Sequence, residues 1–479
     1  MEFFSGIKSQ KSKFILSLIS AIFYQFGSQI VITTGSLCVY FISYIHHKYE
    51  WVNMHYGNIT APIIMLLLSS FSPLSGFIEK KIGSRLTLLL SSIIVEICFL
   101  LYYFQRNLYL FYTISIFIGI GTGLSAGVPI KNACKFYPKH KGKINSLIIC
   151  LGGLINSLYS YIGEEVIINP HKTPIEDKKT KPFYPKEVAD RAKRFFIFAM
   201  IIVPFNTLIS LILFYKYKPD KGDNSLKINY NNSVNQIEKE KENETDTKKI
   251  IKTFRFWRNM IIVSLMPFWV FFLTATYRAY SPMLGVKQKL VSKLPTITSA
   301  LNSLFGLAWA FSLDQFGFQI IIKVMSIICI ILSLYFLFIM DNKTLYIVGL
   351  FVSTTISRVG IMSVINPHIM QIYEFKNYLI IGGFARLFHQ LGFFIAALTS
   401  VILSFNYKTA DSLEKPYKFV ASIGIILSII GLMFSFFEND EKFNFGKKVN
   451  EIFLEQDDNN ECNQESETEK ALENGEIKN

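Results

Sequence analysis

Gly76-Phe77-Ile78-Glu79-Lys80-Lys81-Ile82-Gly83-Ser84-Arg85 closes one apolar run and opens the next, and Ala310-Phe311-Ser312-Leu313-Asp314-Gln315-Phe316-Gly317-Phe318-Gln319 does the same far downstream. Each decapeptide carries a glycine at the same place, Gly83 and Gly317, where the chain must turn tightly between two apolar runs. Charges in so short a loop lie against neighbouring helix ends, where they hold one arrangement of the helices and release another. Gly76, Gly83, Arg85, Asp314 and Gly317 are therefore read as gating-loop residues. The two loops fall at equivalent places in two halves of the chain, and repeated halves are the architecture of many secondary transporters.

Outward from these loops, apolar runs of about 20 residues recur, each long enough to cross roughly 30 Å of hydrocarbon. Polar residues, Gly and Pro delimit them as 14–45, 57–78, 84–104, 108–131, 144–166, 194–216, 257–280, 294–312, 318–340, 344–367, 378–404 and 416–437. The first run is too long, and lacks a small-residue cleavage site, for a signal peptide. This pattern predicts an all-α polytopic membrane protein with twelve transmembrane helices in two six-helix pseudo-repeats, 1–216 and 257–437. Residues 217–256, rich in Asn, Lys and Glu, hold too few apolar residues to order themselves and are read as a flexible linker. Residues 438–479 are read as an acidic, disordered tail. Composition agrees: 51% of the 479 residues are hydrophobic and 18% charged, with a mean hydropathy of +0.34. Those values exclude a disordered or an ordinary soluble chain.

A net charge of +14 does not point to nucleic acid, because Lys and Arg sit mainly in the connections between apolar runs. Lys80, Lys81 and Arg85 follow the second run and Lys131, Lys135, Lys139, Lys141 and Lys143 the fourth, whereas Lys48 and Arg106 stand nearly alone on the other side. Both termini and the linker are thus expected in the cytosol, with 169–191 the longest outer loop. The six cysteines form no disulfide or zinc pattern, and neither a metal nor a cofactor is expected.

The first decapeptide resembles the loop between spans 2 and 3 of the major facilitator superfamily, whose pattern is G-x-x-x-D-R-x-G-R-R/K. Lys80 stands where the family has Asp and Ser84 replaces a basic residue, so no salt-bridge latch is expected in the first half; the second copy keeps Asp314 and Gly317. Gly119-Ile120-Gly121-Thr122-Gly123, Gly127-Val128-Pro129 and the stretch from Phe136 to Ser146 resemble the monocarboxylate and oxalate/formate transporter branch, in which a glycine-rich fourth span runs into F-P-x-basic-basic-G-x-A-x-G. Ile, Lys and Asn usage is similar to that of AT-rich protists, apicomplexan parasites among them. The glycines are not a dinucleotide fingerprint, since no strand precedes them. Gly119, Gly123 and Gly127, four residues apart, instead form a smooth face that admits a neighbouring helix.

An isolated ionised group inside a bilayer costs at least about 2.5 kcal/mol, so Glu96, Arg278, Arg358 and Arg386 each need water or a partner. At 1.5 Å per residue Arg386 lies about 13 Å into span 11 and Glu96 about 18 Å into span 3, both near the midplane. Arg278 lies near the outer end of span 7, and Arg358 about 21 Å from the outer end of span 10. The facilitator resemblance implies that spans 1, 4, 7 and 10 line a cavity, that 2, 5, 8 and 11 flank it, and that 3, 6, 9 and 12 lie outside. That order favours the arginines over Glu96. A guanidinium is permanently charged and its fork matches a carboxylate, so Arg386, Arg278 and Arg358 are the candidate substrate contacts, with Tyr277 and Gln29 as neutral ones. Oxalate/formate transporters carry basic residues in spans 8 and 11; here Arg386 matches the second, and 294–311 has none. His389, three residues after Arg386, is a structural histidine or a proton relay, and Glu96 is the competing proton carrier.

The sequence thus points to a secondary transporter for a small organic anion, a monocarboxylate such as pyruvate or lactate, working by alternating access with proton coupling or exchange. Its expected setting is the lipid bilayer, at the plasma membrane rather than an organelle, as a monomer and without enzyme chemistry. A carrier of an amino acid, vitamin or drug-like solute, and a non-transporting receptor, are the alternatives.

Overall fold

In the computed structural model, residues 10–437 are described except 50–51, 53, 138–140, 170–182, 217–246, 340–341, 355, 357 and 407–409. Most of the outer loop, most of the linker and the acidic tail thus lie outside the described residues. The chain forms α1 (Gln10–His46), α2 (Thr60–Ile82), α3 (Ser84–Phe104), α4 (Leu108–Gly123), α5 (Val128–Cys134), α6 (Lys141–Tyr161, continued by a π-helical stretch Ile162–Ile168) and α7 (Lys186–Leu213) in its first half. The second half is α8 (Thr247–Ile251), α9 (Phe254–Leu265), α10 (Phe268–Met283), α11 (Gln288–Phe316), α12 (Phe318–Ile339), α13 (Lys343–Thr354), α14 (Arg358–Ile372), α15 (Glu374–Asn406) and α16 (Ala410–Ser435).

Eleven helical stretches among the described residues are long and apolar enough to cross a membrane. The remaining crossing is divided: α13 and α14 are each too short, and together they make span 10. Spans 4 and 7 are interrupted as well, at Leu124–Gly127 and at Met266–Pro267. Helix begins at Thr247, inside the stretch read as linker, and α9 starts where Thr253 caps the Phe256 amide.

The halves repeat in three dimensions. Span 1 packs on 5 and 6, span 2 on 4, and span 3 on 6; correspondingly span 7 packs on 11 and 12, span 8 on 10, and span 9 on 12. The two loops that bracket this repeat have the same backbone, with Gly83 at φ 84°, ψ 159° and Gly317 at φ 81°, ψ 164°. Each glycine N–H donates to the carbonyl four residues back, at 3.0 Å, before the next helix starts at once. Only glycine holds a positive φ there without strain.

Spans 3, 6, 9 and 12 turn large apolar side chains outward, Ile97, Phe205, Ile331 and Ile426 among them, as a lipid-facing ring requires. The halves meet along two seams, α2 against α15 and α6 against α11, with α14 also on α6. One apolar core spans both halves, joining Val128, Ile144 and Ile148 to Ile361, Ile365, Leu379 and Ala385. It lies at the end of the bundle carrying Lys80, Lys81, Arg85, Lys131 and Lys135, hereafter the basic end. Towards the other end each half keeps its own core, around Phe41, Phe99 and Phe195 in the first and Trp269, Phe336 and Tyr346 in the second. The bundle is sealed at its basic end.

Candidate functional site: Arg386 at the seam between the halves

The glycine face of α4 forms as its spacing demands. A Cβ on Gly119 would lie 2.7 Å from the Ile64 carbonyl oxygen, and one on Gly123 would strike the Leu68 carbonyl, so α2 presses directly on α4. Gly127 is not part of that face. It sits in the interruption at φ 93°, a left-handed conformation, and Pro129 then restarts the helix as α5. The interruption is held by Ser125, whose hydroxyl bonds with Tyr24 and with Ser91, the latter at 2.6 Å. Ser91 in turn donates to the Gly121 carbonyl at 2.6 Å.

Breaking the helix frees the Ala126 carbonyl, and Arg386 takes it. Arg386 Nη1 donates to Ala126 O at 2.9 Å and to Ser72 Oγ at 2.8 Å, both in the opposite half, while Nη2 donates to Tyr378 Oη at 3.2 Å in its own helix. The guanidinium lies so close over Gly127 that a Cβ there would stand 2.7 Å from Nη2. Close approach continues along the seam: a Cβ on Gly383 would be 2.7 Å from Pro73 Cα, and one on Gly76 would be 3.0 Å from Ile380. Gly76 therefore serves helix-to-helix contact across the halves, not a turn. Among the described residues no carboxylate accepts from Arg386. A permanent cation inside the membrane held only by a hydroxyl, a carbonyl and a phenol is a site that attracts an anion.

The hydrogen bonds at the second seam join neutral groups, while Lys143 Nζ of α6 lies 6.0 Å from the centre of the Phe311 ring of α11. Thr33 Oγ1 donates to Asn156 Oδ1 at 2.8 Å, Asn156 Nδ2 donates to Ser299 Oγ at 2.9 Å, and Ser299 donates to the Gly153 carbonyl at 3.1 Å. Ser157 adds a 2.6 Å bond to the Thr296 carbonyl. Gln29, one turn before Thr33 on α1, is buried at 6% exposure, and its main-chain carbonyl accepts from Thr33 Oγ1 at 3.1 Å.

The other sequence candidates are dispersed. His389 packs edge-on against Phe271 and bonds through Nδ1 with Gln390, inside the second half, whereas Arg386 reaches the first. Glu96 lies on α3, which packs on α4 and α7, away from both seams; one of its carboxylate oxygens is buried without a hydrogen bond. Tyr277 packs against the core of the second half. Arg278 is on α10, Arg358 opens α14 just after the break in span 10, and Asp314 lies in the last turn of α11; their side chains lie outside the described ones.

The first loop holds what the sequence did not lead us to expect. Glu79, one residue before the position of the family's Asp, accepts from Lys131 Nζ at 3.0 Å and from Ser84 Oγ at 2.9 Å, tying α2 to α5 and α3. The ion pair expected to be missing is present with its carboxylate moved back one residue. Arg85 Nη2 donates to the Phe214 carbonyl at 2.6 Å, closing the C-terminus of span 6, and Arg258 Nη1 does the same for Phe437 after span 12. Burial, and then repulsion from Lys131, holds the Lys135 ammonium below its ordinary pKa.

A bundle of apolar helices in two repeated halves, with interrupted helices meeting a charge at the seam, is the architecture of a secondary transporter. The family model for the Major Facilitator Superfamily matches residues 16–397, and the chain belongs to that family: it is a multi-pass membrane transporter. No curated protein matches the chain.

Proposed function

We propose that this transporter carries a small organic anion, a monocarboxylate such as pyruvate or lactate, by alternating access, with Arg386 as the principal anion contact. The observation that carries this reading is the guanidinium at the seam with only neutral acceptors. A carboxylate offers it two charge-assisted hydrogen bonds in place of neutral ones. Tyr277 and Gln29 supply neutral hydrogen bonds to the solute, and Arg278 and Arg358 are secondary anion contacts. Proton coupling would run through His389 or Glu96; exchange needs neither. The basic loops and both termini lie in the cytosol, at the plasma membrane.

Purified protein in liposomes, offered labelled pyruvate, lactate, oxalate, a neutral amino acid and a cationic drug, tests the reading. Saturable flux of the monocarboxylates alone supports it. Flux of only the amino acid or drug replaces the substrate class, and no flux of any solute favours a receptor.

A further inference from the structure

Of the hydrogen bonds Arg386 makes among the described residues, the two from Nη1 cross from one half to the other, to Ser72 midway along α2 and to the interruption of span 4, where the core shared by the halves begins. Ser72 is fully buried, and the Ala126 carbonyl is available only because the helix is interrupted there. The side chain read as the anion contact is thus the same one that fastens α15 to α2 and to the break between α4 and α5.

We propose that Arg386 is the catch of the basic-end seal, and that an arriving carboxylate releases it by taking the Nη1–Nη2 fork from Ser72, Ala126 and Tyr378. The inference rests on the anion reading for its trigger and on the hydrogen-bond geometry alone for the catch. The exchange is favoured because a carboxylate is a charged acceptor whose two oxygens match the fork, whereas the present acceptors are neutral and converge from three elements. Nothing replaces the lost ties across the seam, so the halves part at the basic end when the anion binds. A ligand can shift an equilibrium only through differential affinity for its two states, and one guanidinium that cannot serve seal and solute together supplies that difference. Gly127 completes the device. Any side chain there would push the guanidinium off its acceptors, which explains a left-handed glycine beside a charged group.

Spin labels at Ile82 and Phe316, exposed residues at the basic ends of α2 and α11, read the separation of the halves. The labels are placed after Cys462 is replaced by serine, the five described cysteines being buried. Without solute, the wild type should show the short distance. Ser72→Ala and Gly127→Ala should raise the ratio of open to sealed molecules by about tenfold, and Arg386→Gln by more, as expected for loss of hydrogen bonds from a charged donor. Pyruvate should lengthen the distance in the wild type and leave Arg386→Gln unchanged. Distances in Ser72→Ala and Gly127→Ala equal to the wild type, in protein that remains monodisperse, would overturn the catch. Pyruvate that binds yet keeps the short distance, as docking on the Nε edge would, overturns the exchange. If the variants open but no organic anion binds or is transported, the catch stands and the anion reading falls, so the two failures are separable.

Discussion

The two seams between the halves do different work with different chemistry. Along α2 and α15 the helices touch at backbone distance, through Gly76, Pro73 and Gly383, and a charge crosses the seam. Along α6 and α11 the hydrogen bonds join neutral groups, Asn156 to Ser299 and Ser299 to the Gly153 carbonyl, with Thr33 of α1 behind Asn156, and a charge there, Lys143, meets the Phe311 ring. Neutral hydroxyl and amide bonds between membrane helices contribute modestly, about 0.6 kcal/mol each, and re-form readily as helices shift. A guanidinium held at one point with backbone contacts around it has no such tolerance. The first seam sets which end is closed; the second holds the halves together while they rock.

Gly383→Leu breaks that contrast most severely. Its side chain would have to occupy the position of the Pro73 backbone, and overpacking of this kind costs about 1–3 kcal/mol or more. Thermal unfolding should drop and the basic-end seal should be lost, which spin-label distances across that end would report. Glu79→Gln comes next: it leaves the buried Lys131 ammonium without its carboxylate, a change worth about 2 kcal/mol when one member of a desolvated pair is removed. Lower stability measured in detergent is expected, with substrate affinity unaltered, because Glu79 touches α3 and α5 and not Arg386. Asn156→Ala should do least. Removing it takes one hydrogen bond each from Thr33, which keeps the Gln29 carbonyl, and from Ser299, which keeps that of Gly153, at a cost of about 1 kcal/mol, while transport persists. Transport abolished by Asn156→Ala but kept by Gly383→Leu would reverse the roles given to the two seams.

How far these features can be read from the sequence depends on the kind of interaction. Apolar run length is a local property, so the spans were legible, down to the paired glycine turns at Gly83 and Gly317 and the α2-facing side of Gly119 and Gly123. Interruptions were not, because apolarity continues through them. Gly127 followed by Pro129 was the available signal for the break in span 4, and its four-residue spacing from Gly123 masked it. Arg386 stood out as a charge in an apolar run, but its acceptors did not. Ser72 is one of many serines, and a main-chain carbonyl such as Ala126 leaves no mark in the sequence at all. Glu79 was hidden differently: the motif directs attention to Lys80, where the family places its acid, and only the fold shows Lys131 within reach of the residue before it.

Flux of labelled pyruvate into liposomes containing wild type, Arg386→Lys and Arg386→Gln, normalised to folded protein, tests the central claim most directly. Lysine keeps the charge without the fork and glutamine keeps hydrogen bonding without the charge, so apparent affinity should fall in the order Arg, Lys, Gln. An unmatched carboxylate in a desolvated site costs about 2–5 kcal/mol, so Arg386→Gln should lose roughly thirtyfold or more. Pyruvate flux with unchanged affinity in Arg386→Gln would contradict the account and move the anion site to Arg278 or Arg358.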